Sequence, residues 1–210
     1  MGICDVVSNW KVYGLEDSVK ASKYSMAVDI SKCTAEITKN TEALAGCPTG
    51  TGHDQFLTGI IVQFDLTFTI KAWTEAERYH FLDFVSSQST MHRIAKFDIG
   101  KQCTDYVNQQ TIDLCERLSK EYNANKTSEN YLRLLYNVPV GFRLTARMTT
   151  NYRQHKTIYQ QRWTHRLPEW REFCEWVKTL PYADEFIIRK DGTNELSEHH
   201  YKNCDAHLAH

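Results

Sequence analysis

The chain reads as an α/β or α+β fold, one domain whose central mixed or antiparallel sheet is flanked by helices. Two runs of strict alternation, separated by segments of helical periodicity, carry that reading. In the first, Ile60, Val62, Phe64, Leu66, Phe68 and Ile70 alternate with Ile61, Gln63, Asp65, Thr67, Thr69 and Lys71, which predicts a strand from Ile60 to Ala72 with one buried face. The turn-rich stretch GCPTGTGHD delivers the chain into it. The second run follows Pro139, with Val140, Phe142, Leu144, Ala146 and Met148 on one face and Arg143, Thr145, Arg147 and Thr149 on the other.

Between and after these strands the period lengthens. Thr74 is placed to cap a helix through EAERYHFLDFV that ends near the polar run Ser86-Ser87-Gln88-Ser89-Thr90. Val107, Thr111, Leu114, Cys115, Leu118 and Tyr122 fall on one helical face, which closes before Asn123-Ala124-Asn125. Ser128 caps a shorter helix, Glu129 to Tyr136. Thr149 or Thr150 caps another through about Arg166, and Pro168 opens a helix with Trp170, Phe173, Cys174 and Val177 on its apolar side, stopped by Lys178-Thr179-Leu180-Pro181. With no internal repeat or linker in view, residues 1–190 are taken as one domain and 191–210 as a polar tail.

At 210 residues and 24.5 kDa the chain can bury one sizeable core, and its 41% hydrophobic and 24% charged content is that of a folded globular protein. Its 25 Lys+Arg against 26 Asp+Glu leave a formal charge of -1, so nothing draws it globally to nucleic acid or an anionic membrane. An anionic ligand must meet a local cluster of cations. The start MGICDVVSNWKVYGL has no basic segment followed by an apolar run, and the chain lacks a stretch of about 18 apolar residues, so a soluble, cytoplasmic protein is expected. The seven cysteines include no CxxC pair and read as reduced, mostly buried thiols.

The segment from Thr149 to Arg162 is the richest in chemistry. At about 100° per residue, Asn151 and Arg162 lie roughly 20° apart around a helix, with Ile158 between them and His155 beside them. One face then offers an amide, an imidazole and a guanidinium, with Asn151 at the helix start, where free N–H groups favour a phosphate or an electron-rich ring. The plain alternative is a capped surface helix with solvated charges.

The stretch RLLYNVPVGFRLTARMTTNYRQHKTIYQQR resembles the second half of flavin-dependent thymidylate synthases, and GHDQFLTGIIVQFDLTFTIKAW with ERYHFLDFVSSQSTMHR resembles the strand, helix and loop of their first half. The resemblance covers residues 12 to 188. It implies that Asn151 and Arg153 contact flavin, that Arg162 contacts the pyrimidine ring of dUMP, and that Arg133 reaches the nucleotide phosphate, although two extra residues separate Arg133 from Pro139. It also implies a flavin-contacting Ser22, and matches Arg93 and Ser86 to the last arginine and first serine of the family signature. The Arg-His-Arg of that signature is missing: Phe81, Leu82 and Asp83, or Leu82, Asp83 and Phe84, stand there, and Ser89 or Gln88 replaces its glutamate. Gln63 stands where the family has a histidine. A dinucleotide pyrophosphate is held best by arginine forks and is repelled by an aspartate. Either FAD binds through Arg78, His92, Arg147 or Arg153, or another cofactor is used, or none is.

The resemblance therefore implies reductive methylation of dUMP at C5 with FAD, NADPH and methylenetetrahydrofolate, in a homotetramer. Arg162 would polarise the ring, and Arg93 and Arg133 would anchor the phosphate. Another C5 modification of a pyrimidine nucleotide, or a non-catalytic nucleotide-binding protein, are the alternatives that the altered signature keeps open. His53-Asp54 reads as a loop turn more readily than a catalytic dyad, Glu198-His199-His200 with Cys204 and His207 as solvated groups more readily than a metal site, and Trp163, Trp170 and Trp176 as core. A Gly-rich phosphate loop is missing.

Overall fold

The computed structural model describes residues 6–188. The polar tail and its histidine cluster lie outside the described residues. Among these, four strands form one antiparallel sheet in the order β1-β2-β4-β3: β1 Val7–Tyr13, β2 Ile61–Thr69, β3 Asp83–Ser87 and β4 Arg143–Asn151. The helices are α1 Leu15–Ala21, α2 Lys39–Gly46, α3 Ile70–Ala76, α4 Thr90–Arg93, α5 Ile99–Gln102, α6 Gln109–Ala124, α7 Ser128–Tyr136, α8 Tyr152–Arg162, α9 Pro168–Val177 and α10 Ala183–Phe186. The expected α/β class with an antiparallel sheet is the architecture found.

The two alternating runs are the two central strands, paired from Ile61↔Asn151 to Thr69↔Arg143. Val62, Phe64, Leu66 and Phe68 of β2 are completely buried, as is Met148 of β4, and they pack against α8, α9 and α10. A second apolar cluster, built on Phe142, Leu134, Cys115 and Ile94, joins α6 and α7 to the start of β4. The opposite face of the sheet is polar: the hydroxyls of Thr67 and Thr145 meet at 2.8 Å, and Arg147 Nη1 lies 3.2 Å from Asp65 Oδ1.

Several boundaries depart from expectation, among them the end of α8 at Arg162 and not near Arg166, and the start of β4 at Arg143 and not Val140. Strand β2 stops at Thr69, because the Thr69 hydroxyl accepts from the Ala72 N–H and starts α3 at Ile70, five residues before the helix expected after Thr74. That helix ends at Ala76, and Asp83–Ser87, read as its last turns and the loop beyond, is instead an edge strand on β4. A short β-branched and aromatic segment takes whichever partner tertiary packing offers, and here β4 has a free edge. Strand β1 was not foreseen, since most of it is exposed and a register shift between Ser8 and Lys11 breaks its alternation. Helices α6, α7 and α9 fall within a residue or two of their expected spans.

A buried ion cluster ties the segment before β2 to the rest. Asp54 is fully buried and lies 3.1 Å from both Arg153 Nε and Lys156 Nζ, while the Lys156 ammonium also donates to the carbonyls of Ala45 and Cys47. His53 beside it is exposed, so the pair is a structural turn and not a dyad. Taking the carboxylate away from a buried ammonium is costly. Asp54→Ala should therefore lower unfolding free energy by about 3–5 kcal/mol in urea denaturation, against roughly 1 kcal/mol or less for the partly exposed Arg153→Ala. Equal, small losses for both would contradict this arrangement.

Candidate functional site

The site grows from the junction where β4 ends and α8 begins. Asn151 keeps an extended backbone (φ -133, ψ 168) and its side-chain oxygen accepts from the Gln154 N–H at 2.9 Å, so Asn151 itself is the N-cap in place of Thr149 or Thr150. Thr150 is buried and donates to the Phe81 carbonyl, which holds the chain before β3 against the junction.

The face expected to meet a ligand turns mostly inward. Tyr152, His155, Ile158, Tyr159 and Arg162 are all buried, because α8 lies on the apolar side of the sheet. His155 is fully buried among Phe64, Phe173 and Trp176, and both its ring nitrogens are without a hydrogen-bond partner among the described residues. It is a core residue, not a ligand-facing one. Gln154, Thr157 and Gln161 form the outer face.

Arg162 sits between the two. The residue is only 8% exposed, and its guanidinium lies 5.0 Å from the centre of the Trp170 ring and donates from Nη1 to Glu75 Oε2 at 3.0 Å and from Nε to the Tyr79 hydroxyl at 2.7 Å. A cavity of about 320 Å³ opens beside it, lined among others by Arg78, Tyr79, Phe81, Gln154 and Gln161. Burial alone would raise the Glu75 carboxyl, but Lys71 and Arg162 beside it hold it below its usual value. Burial raises the Tyr79 phenol, partly offset by Arg162, and burial followed by the Arg162 charge lowers His165. Glu75 and Tyr79 carry no sequence signal of their own, since their partner is more than eighty residues away.

The other anticipated residues are scattered. Arg153 is held by Asp54 and Gln55, and the Ser22 hydroxyl donates to the Val19 carbonyl. Arg133 lies on α7 with Glu121 at 3.3 Å and does not line the Arg162 cavity. Gln88 pairs with both backbone groups of Thr145 and borders a second hollow of about 300 Å³ beside Trp73 and Phe84. Ser89 stands before α4, which carries the exposed His92 and Arg93. Where an Arg-His-Arg was missing, Leu82 is buried in the core while Phe81, Asp83 and Phe84 are exposed. The side chains of Arg78, His92 and Arg93, which bracket β3, make no hydrogen bond or ion pair among the described residues.

Solved structures share this architecture. The flavin-dependent thymidylate synthase ThyX from Helicobacter pylori, complexed with FAD and dUMP, superposes with a TM-score of 0.66 at 13% identity, over 86% of this chain and 96% of that one. The fold is that of ThyX. A UMP/dUMP methylase, PolB from Streptomyces cacaoi bound with 5-Br dUMP, has a TM-score of 0.58 at 18% identity, over 86% of this chain and 92% of its own. The same methylase bound with 5-Br UMP gives 0.56 at 12% identity, over 90% and 99%. No family model and no curated protein sequence matches the chain. Among the described residues no helix is long and apolar enough to cross a membrane, and no group of three or more His, Cys, Asp or Glu side chains is placed to hold a metal ion. Cys103, Cys115 and Cys174 are buried thiols, while Cys33 and Cys47 are half-buried.

The orphaned imidazole has a measurable consequence. Burial pushes His155 from 6.5 down to about 3, so between these values the unfolded chain binds the extra proton. Stability from this group is whole above the unfolded value and is lost as pH falls toward the folded one. His155→Leu should lose less stability than the wild type between about pH 6.5 and pH 4 in parallel urea titrations; identical acid profiles would show that His155 is solvated.

Proposed function

We propose that this chain is an enzyme modifying C5 of a pyrimidine nucleotide, and that its reaction is the reductive methylation of dUMP. The observation that carries the proposal is Arg162: a fixed guanidinium with unspent N–H groups at the wall of a cavity, on a fold shared with two enzymes whose structures hold dUMP or a 5-bromo analogue. In this reading Arg162 donates to a carbonyl oxygen of the uracil ring and stabilises the negative charge that develops there as C5 reacts. The Trp170 ring and the Glu75 carboxylate prevent the guanidinium from swinging away, so orientation is settled before the ligand arrives. Glu75 keeps the buried charge balanced when the ligand is absent.

Arg93 and Arg133 take the nucleotide phosphate, with Ser89 and Gln88 nearby as hydrogen-bonding partners of the substrate. None of these lines the Arg162 cavity of its own chain, and in this reading neighbouring copies in a homotetramer supply them. Asn151 retains a free amide N–H₂ for a flavin ring, and Ser22 and Arg153 complete that contact when they exchange their present partners. Bound there, FAD would supply hydride chemistry, with NADPH as reductant and methylenetetrahydrofolate as one-carbon donor. Arg78 and His92, exposed on either side of β3, would hold its pyrophosphate in place of arginines at Phe81 to Phe84.

A second reading is favoured by those same four positions, where an aspartate and two exposed aromatics stand: a nucleotide-binding protein, or another C5 chemistry, without flavin. Purified protein separates the two. Flavin absorbance that copurifies or is restored by added FAD supports the first, and a colourless protein that binds dUMP but never FAD supports the second. Arg162→Ala should weaken dUMP binding by about 2–3 kcal/mol in calorimetric titration, and an unchanged affinity would remove Arg162 from the site.

A further inference from the structure

A directional chain of hydrogen bonds runs along the cavity wall. Glu75 accepts from Arg162 Nη1, Arg162 Nε donates to the Tyr79 hydroxyl at 2.7 Å, and that hydroxyl donates to Gln161 Oε1 at 3.0 Å. Each polarity follows from the one before. A guanidinium can only donate, so Tyr79 accepts from it, and the phenol's single hydrogen points to Gln161 Oε1. The Gln161 carboxamide is thereby anchored by its oxygen, and its N–H₂ end is the one left for a ligand. Tyr79 is buried, and its burial raises the phenol above its ordinary value, so it remains a neutral donor across the neutral range.

We infer that Gln161, oriented by Tyr79, is a specificity-determining residue that selects a uracil over a cytosine nucleotide. The inference rests on the nucleotide reading above and deepens it. Arg162 and the Gln161 amide together present N–H donors, with the glutamine oxygen turned to the Tyr79 hydroxyl. A uracil ring offers a carbonyl oxygen at position 4 where cytosine offers an amino group. Against the N–H donors of Arg162 and Gln161 the first is paired and the second leaves two N–H groups facing one another, a desolvated mismatch that costs more than a lost contact. Gln161 is exposed on the outer face of α8, so altering it does not disturb the core. Nothing in its sequence context marks it, since the side chain that orients it is on a different segment, beyond α3.

The experiment compares dUMP and dCMP by isothermal titration with the full chain and two variants. The wild type should prefer dUMP by about tenfold or more. Tyr79→Phe deletes the hydrogen that anchors the amide and lets it flip, so the ratio should fall toward unity while dUMP still binds. Gln161→Glu replaces the donor end by an acceptor and should move the ratio toward dCMP. A wild type that binds both equally, or a ratio that survives both variants, would overturn the inference while leaving the nucleotide site intact. If the wild type binds neither nucleotide, the proposed function fails and the inference falls with it.

Discussion

The contact on which the site depends is the guanidinium of Arg162 resting on the Trp170 ring. Trp170 is itself fully buried against Phe68 of β2 and Phe173 of α9, so one face of its indole belongs to the core and another carries a charge. That arrangement lets a cation stand at the boundary of an apolar interior without being desolvated alone: the ring quadrupole, the Glu75 carboxylate and the Tyr79 hydroxyl each replace part of the lost water. Because the helices above and below are packed on one sheet, the charge cannot relax toward solvent, and its direction is a property of the fold.

The same logic explains why α8 is so polar yet so buried. It contributes Lys156 and His155 as well as Arg162 to the interior, and each is managed differently. Lys156 has a carboxylate and two carbonyls, Arg162 has a carboxylate and two rings, and His155 has no hydrogen-bond partner among the described residues and stays neutral by losing its proton. A helix that carries this much buried polarity is held by its neighbours more than by its own amphipathicity, which places weight on the Asn151 cap and on the Asp54 cluster at its first turns.

Much of the fold was legible in the sequence where one periodicity dominated. The alternation of Val62, Phe64, Leu66 and Phe68 admits only a strand with one face in the core, and the stripe of Trp170, Phe173, Cys174 and Val177 after Pro168 admits only a helix. Legibility failed where long-range pairing chose the outcome. Asp83–Ser87 form a strand because β4 offers an edge, and Thr69 ends β2 because its hydroxyl accepts from the Ala72 N–H. At the site, helical spacing put His155 and Arg162 on one side of α8, and both are buried, but spacing cannot say which side meets the sheet. His155 was therefore read as available when it is core, and Glu75, Tyr79 and Gln161 were passed over because only the folded chain brings them to Arg162.

The likeness in fold to enzymes acting on dUMP coexists with a β3 edge that is aromatic and acidic where an arginine fork was expected. What joins the two is the Arg162 wall, whose donors are fixed by contacts wholly internal to this chain. The most direct measurement is a crystal structure of the protein grown with dUMP. The account predicts the uracil ring in the cavity beside Arg162 and Gln161, with a ring carbonyl accepting from the guanidinium and Trp170 still beneath it. A nucleotide bound elsewhere, with Arg162 still enclosed by Glu75 and Tyr79 and the cavity filled only by solvent, would contradict it.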